Sequence, residues 1–300
     1  MQNRVALAFA LTAAVLVIEV LGGLLSGSLA LLSDAGHVLT DLVALGLSWY
    51  GIKQTARPSN YRMTYGYHRV GIFVAFLNAA TLIGIALIVV WEAGRRLMEP
   101  QPVAGGLMSV VAVTGLAINL LVLVMLRHRG HDLNVRSAFL HVAGDAVASV
   151  AVVVSGGLIM VTGWTWTDAA TSLIIAAIIV FSSIRILTES VNVLLEGAPG
   201  NIDMGDVLRS IGQVPGIREV HHLHLWSITP SIRALSCHVS VEDVAVSEAA
   251  VVLSRVNELL EHRFAIRHST IQLEALGCDP NELYCTLSPE GEVSHAAHAH

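Results

Sequence analysis

The sequence predicts an all-α membrane bundle of six helices followed by a small cytosolic α+β domain with the ferredoxin-like order α-β-β-α-β. Three observations carry this. Hydrophobic residues make up 54% of the 300 residues and charged residues only 13%, about half the charged share of a soluble domain. Six apolar stretches reach the ~20 residues that a helix needs to cross a bilayer. Beyond residue 198 the long apolar runs stop, and acidic residues outnumber basic ones 13 to 6, against 10 to 11 before it.

The six stretches lie near residues 5–25, 29–52, 70–97, 105–126, 138–162 and 167–187. The first follows Arg4 and precedes a small-residue run, as a cleaved leader would. Its length and the second span that follows at once make it a retained helix. Orientation follows from the basic residues, which concentrate on the cytoplasmic side of such proteins. Arg4, Lys53, Arg57, Arg62, Arg69, Arg127, Arg129 and Arg136 fall on the side that holds the termini, and only Arg95 and Arg96 flank the opposite side. Both termini are therefore expected in the cytoplasm of a multi-pass membrane protein, in the inner membrane if the source is bacterial.

Glu196 to Gly200 (EGAPG) breaks the last span, and Asp203 is placed to cap a short helix running to Gln213. Pro215-Gly216 marks a turn. Residues 218–228 and 233–241 read as strands, 247–263 as an amphipathic helix and 268–275 as a third strand. Residues 1–198 are thus a six-span transport domain and 199–285 a cytosolic domain, while the Ser/Gly/His-rich end, 286–300, reads as a disordered tail.

Several function classes fall away at once. Lys53 is the single lysine and Gln54 follows it, so no G-x-x-x-x-G-K-[ST] phosphate loop exists and no nucleotide is expected. No basic patch suggests nucleic acid. The three cysteines, Cys237, Cys278 and Cys285, lie in the acidic tail, and an odd number without a framework points to a reducing compartment or to metal rather than to disulfides.

Ionisable groups inside a bilayer are costly and need a reason. His37 and Asp41 stand four residues apart on the second span, and His141 and Asp145 repeat the device on the fifth. Residues i and i+4 share a helix face, so two helices offer four N/O ligands, the number and type of a tetrahedral zinc site. The structural alternative is two separate His–Asp hydrogen bonds between helices, which the repeated spacing disfavours. Asp34, one turn before His37, is a candidate for the approach path. Glu19, Asn78 and Asn119 are read as interhelical hydrogen-bond partners. Gly22-Gly23 and Gly156-Gly157 are read as close-packing or bend positions. No H-E-x-x-H occurs, and four ligands would close the metal's shell, so transport is favoured over hydrolysis and no enzyme is expected.

Long motifs then carry a resemblance. Gly27 to Asp41 (GSLALLSDAGHVLTD), Tyr65 to Arg69 (YGYHR), Leu133 to Asp145 (LNVRSAFLHVAGD) and Val220 to Ile228 (VHHLHLWSI) are similar to the cation diffusion facilitators, especially their zinc-exporting branch. The resemblance implies a homodimeric metal/proton exchanger with the transport site at His37, Asp41, His141 and Asp145, and a metallochaperone-like tail. Histidine at position 37 resembles the zinc-selective type. The chain departs from many relatives in having only His128 and His131 between the fourth and fifth spans. After the second span only His68 is available, as a possible pathway residue.

In the tail, strand alternation places His222, His224 and Trp226 on one face and His221, Leu223 and Leu225 on the other. A hairpin centred on Ser231 would set His224 opposite His238, close enough to share a metal. Ordinary half-exposed strand histidines are the alternative. The resemblance adds His268, Glu274 and Cys285 to His224 and His238 as cytosolic zinc ligands. Cys237 faces away from His238 and reads as core.

The expected function is Zn²⁺/H⁺ antiport by alternating access, with Zn²⁺ both cargo and regulator. Protons and metal compete for the same ligands, which couples the fluxes. A membrane-anchored zinc sensor is the rival, and Cd²⁺, Co²⁺ or Ni²⁺ are alternative cargoes.

Overall fold

The computed structural model describes residues 2–55, 59–127 and 133–275. The chain divides at residues 191/192 into two compact units.

The first unit is helical throughout: α1 (Gln2–Ser26), α2 (Leu29–Thr55), α3 (Arg69–Met98), α4 (Gly105–Arg127), α5 (Leu133–Thr162) and α6 (Trp166–Leu194). Among the described residues, five helices are long and apolar enough to cross a membrane. The C-terminal part of α2 has side chains outside the described residues, and α2 is not in that set. α1 packs on α2 and α4, α2 on α3 and α5, and α4 on α5. Large apolar side chains such as Leu87, Ile88, Trp91, Val110 and Phe181 point outward, as lipid-facing helices require. The buried seam sets alanines between larger aliphatic residues. On α3, Ala79, Leu82, Ala86, Val89 and Ala93 recur at alternating steps of three and four, which lets neighbouring backbones approach closely. Two glycines show how closely. A Cβ on Gly22 would lie 2.5 Å from Val111 Cγ2, and one on Gly156 would lie 2.5 Å from Ser109 Oγ. Gly157, paired with Gly156 in the sequence reading, faces open space.

The second unit contains α7 (Met204–Gly212), β1 (Ile217–Thr229), β2 (Ile232–Val241), α8 (Val246–Phe264) and β3 (His268–Glu274). Asp203 caps α7 as expected, its side chain accepting from Gly205 N. β1 and β2 form an antiparallel hairpin, and α8 carries the chain over so that β3 pairs parallel to β2. The sheet order is β1-β2-β3. Ile211, Leu223, Leu235, Val239 and Leu260 fill the core between sheet and helices. Cys237 is fully buried among them, and burial pushes its thiol up to about 12, so it is packing rather than a thiolate ligand. Cys278, Cys285 and residues 286–300 lie outside the described residues.

Candidate metal centres

In the helical unit, α2 presents His37 and Asp41 one turn apart, and α5 brings Asp145 against them. His37 Nε2 lies 3.6 Å from Asp41 Oδ2 and 3.6 Å from Asp145 Oδ1. Donor atoms of these three residues fall within 4.8 Å of one another. The backbone beneath them is tied down locally: Thr40 Oγ1 donates to His37 O, and Ser149 Oγ donates to Asp145 O. One imidazole and two carboxylates carry enough negative charge to compensate a desolvated dication. His141 occupies α5 one turn before Asp145, and its side chain lies outside the described residues. Asp34 is buried one turn before His37, and its Oδ1 has no hydrogen-bond partner among the described residues. His68 stands at the N-cap of α3 and joins neither cluster of candidate ligands.

Glu19 is buried on α1, and its Oε2 has no hydrogen-bond partner among the described residues, so it does not form the satisfied interhelical bond expected of it. Asn119 does, donating to Ser149 Oγ at 3.4 Å.

In the sheet unit, a second cluster gathers His221, His238 and Glu274, also within 4.8 Å. His221 Nε2 is 3.2 Å from Glu274 Oε2, and His238 Nδ1 is 2.8 Å from Glu274 Oε1. Despite these distances, His221 Nε2, His238 Nδ1 and Glu274 Oε2 make no hydrogen bond of acceptable geometry among the described residues. Three buried lone-pair atoms that converge without bonding one another fit a metal ion better than a hydrogen-bonded core. His222 stands beside them, its ring centroid 5.2 Å from that of His221 and 4.7 Å from that of His238. Burial, and then the neighbouring His238 and His221, push the His222 imidazole below its ordinary value.

This cluster differs from the expected ligand set, and the expected register of His224 with His238 is corrected. His224 pairs with Ser236 and is exposed, whereas His221 faces His238. Three local features cause the slip. The hairpin closes at Thr229↔Ile232, the register shifts between Ser227 and Thr229, and a bulge interrupts β1 between His221 and His224, where His222 adopts φ 48°. A bulge inserts one unpaired residue and reverses the alternation on one side of it. His268 pairs with Ala234, while His238 pairs with Gln272, so His268 lies about 13 Å along the sheet from the cluster. Glu274, by contrast, reaches it. The signal for His221 was the consecutive pair of histidines itself, because histidine is enriched at positive φ, but nothing in strand alternation reveals a bulge.

Residues 5–195 match the model of the cation efflux transmembrane domain, and residues 199–276 match that of the cation efflux protein cytoplasmic domain. The chain belongs to the cation efflux family, the cation diffusion facilitators. The transporter is 39% identical to the zinc transporter ZitB of Escherichia coli, covering 99% of this chain and 94% of that one. It is 37% identical to a cadmium, cobalt and zinc/H(+)-K(+) antiporter of Bacillus subtilis, covering 97% and 95%. A metal-bound C-terminal domain of the CzcD transporter from Cuprividus metallidurans matches 24% of the chain at 33% identity, with a TM-score of 0.23. In this cation efflux transporter, each of the two units carries one candidate metal cluster.

Proposed function

We propose that the chain exports Zn²⁺ in exchange for protons by alternating access, with His37, Asp41, His141 and Asp145 as the transport site. The observation that carries this reading is the convergence of His37, Asp41 and Asp145 from two helices that are distant in sequence. Zn²⁺ enters between α2 and α5, displaces protons from the histidines and leaves outward as they are reprotonated. The ligands must be deprotonated to hold metal, so the two occupancies exclude each other and no ATP is needed. Six spans, with α2 as the second, would bring both termini to one side, and the excess of Lys and Arg on that side supports a cytoplasmic location, in the inner membrane for a bacterial source.

The cytosolic domain, residues 199–285 with a ferredoxin-like order, serves as a metal-binding and dimerisation module. His221, His238 and Glu274 would hold a regulatory Zn²⁺, with the neutral imidazole of His222 alongside. An ion there would satisfy His221 Nε2, His238 Nδ1 and Glu274 Oε2, which have no hydrogen-bond partner among the described residues.

Purified protein in proteoliposomes, with an imposed pH gradient, tests the proposal. Zinc uptake that collapses when the gradient is dissipated supports antiport. A protein that binds zinc but moves none is the membrane-anchored sensor instead. Running Cd²⁺, Co²⁺ and Ni²⁺ in the same assay assigns the cargo.

A further inference from the structure

Asp168 lies in the first turn of α6 and is 1% exposed, yet its carboxylate serves a different helix. Its Oδ1 accepts from Ser28 Oγ at 2.6 Å and from Ala30 N at 3.2 Å, and its Oδ2 accepts from Leu29 N at 2.8 Å. These donors are the N-cap residue and the first two residues of α2. Ser28 Oγ also accepts from Leu31 N at 3.2 Å, so the first turn of α2 is capped from its own chain and from α6 at once. Arg96, in the last turn of α3, reaches the same place. Its Nη1 lies 3.7 Å from Asp168 Oδ2 and donates to Gly27 O, while its Nε donates to Glu92 Oε1 at 3.1 Å.

Three helix ends therefore converge on one buried carboxylate. The N-termini of α2 and α6 each present partial positive charge, and Arg96 supplies a full one. Helix capping normally uses a residue adjacent in sequence, and here α6 supplies the cap from across the bundle. The outer part of α2 that follows is packed tight, with Leu31, Ala35 and Val38 buried. His37 and Asp41 lie about 12 and 18 Å further along the same helix. A slip of α2 by one residue would move them about 1.5 Å and turn them about 100°, which would dissolve the cluster with Asp145.

We propose that Asp168 is the positioning residue of the transport site: an interhelical cap that sets the height and rotation of α2 and stays closed while metal passes. α2 then pivots about a fixed outer end. This rests on reading His37 and Asp41 as transport ligands.

The test uses the full-length protein in proteoliposomes, with zinc flux normalised to folded protein. Asp168→Asn keeps shape and volume but turns an amide N–H₂ toward backbone donors. It should raise the KM for zinc by about tenfold or more and leave kcat within about twofold, the pattern of lost ligand geometry. Asp168→Glu, which keeps the charge, should recover part of the loss. A fall in kcat at unchanged KM overturns the proposal. A second measurement does not depend on those variants. With Cys237, Cys278 and Cys285 replaced by alanine, Ser28→Cys/Asp168→Cys exchanges the hydrogen bonds for a disulfide between α2 and α6. Transport by the oxidised form at near-parental KM, falling on reduction, supports a closed tie. An inactive oxidised form that recovers on reduction shows that the outer end must open, and the proposal is wrong. Asp41→Ala in the same assay keeps the two readings apart. If it transports, the site assignment fails. If it is inactive while Asp168→Asn keeps the parental KM, only the positioning role fails.

Discussion

The Nε2 of His37 lies as close to Asp145 Oδ1 on α5 as to Asp41 Oδ2 on its own helix, 3.6 Å in both cases. One imidazole thus bridges two carboxylates from different helices, and removing any of the three opens the cluster.

Asp41→Ala or Asp145→Ala should lower zinc flux by about 100-fold or more while expression and membrane insertion stay at parental levels. Each removes an anionic ligand for an ion that must leave water. Vesicle uptake at saturating zinc measures it, and parental flux in either variant refutes the site.

His37→Asp should raise the Cd²⁺/Zn²⁺ flux ratio about tenfold, because exchanging imidazole for carboxylate relaxes a tight N/O tetrahedron toward larger, higher-coordinate ions. Paired uptake of both metals by the variant and the parent reads this directly.

The observed register of the sheet cluster makes its own prediction. Zinc at a hundredfold excess over its Kd should stabilise the cytosolic domain by about 2.7 kcal/mol, roughly 10 °C or more in Tm for a unit of this size. His221→Ala, His238→Ala and Glu274→Ala should lose that rise. His224→Ala should keep it, as should His268→Ala. Loss on His224→Ala with retention on His221→Ala would restore the alternation register and refute the bulge.

The lowered value of His222 gives a pH dependence in the metal-free domain. Below about pH 6.5 the unfolded chain takes up a proton on this imidazole that the folded chain still refuses. Stability contributed by the neutral ring is therefore complete above that pH and is lost as pH falls toward the folded value. Thermal melts without metal should show Tm dropping on acidification, and His222→Asn should flatten the drop.

The parts of this molecule that sequence reveals are those set by local periodicity. The pairs His37–Asp41 and His141–Asp145 are visible because four residues bring a helix back to the same face. The tail elements are visible because apolar spacing changes period at Asp203 and again at Pro215. Register is different. It depends on whether the turn after Thr229 has two residues, on a shift between Ser227 and Thr229 and on an extra residue at His222, and together these decide that His221 and not His224 meets His238. His268 and Glu274 sit on one correctly expected strand, yet only the parallel pairing of β3 with β2 determines which end lies level with His238. Asp168 went unmarked for a related reason. An acidic residue in a first helical turn reads as a favourable partner of its own helix, and nothing local indicates that it serves α2.

The parallel pairing of β3 has a consequence for biosynthesis. Glu274 is the last described ligand in the chain, and it reaches His221 and His238 only after α8 has crossed over the sheet. The residues of α1 to α6 and of the β1–β2 hairpin all precede it in the chain. A chain ending before residue 274 lacks the carboxylate that joins the two histidines. The described sheet cluster is thus complete only in a chain whose membrane helices have already been made.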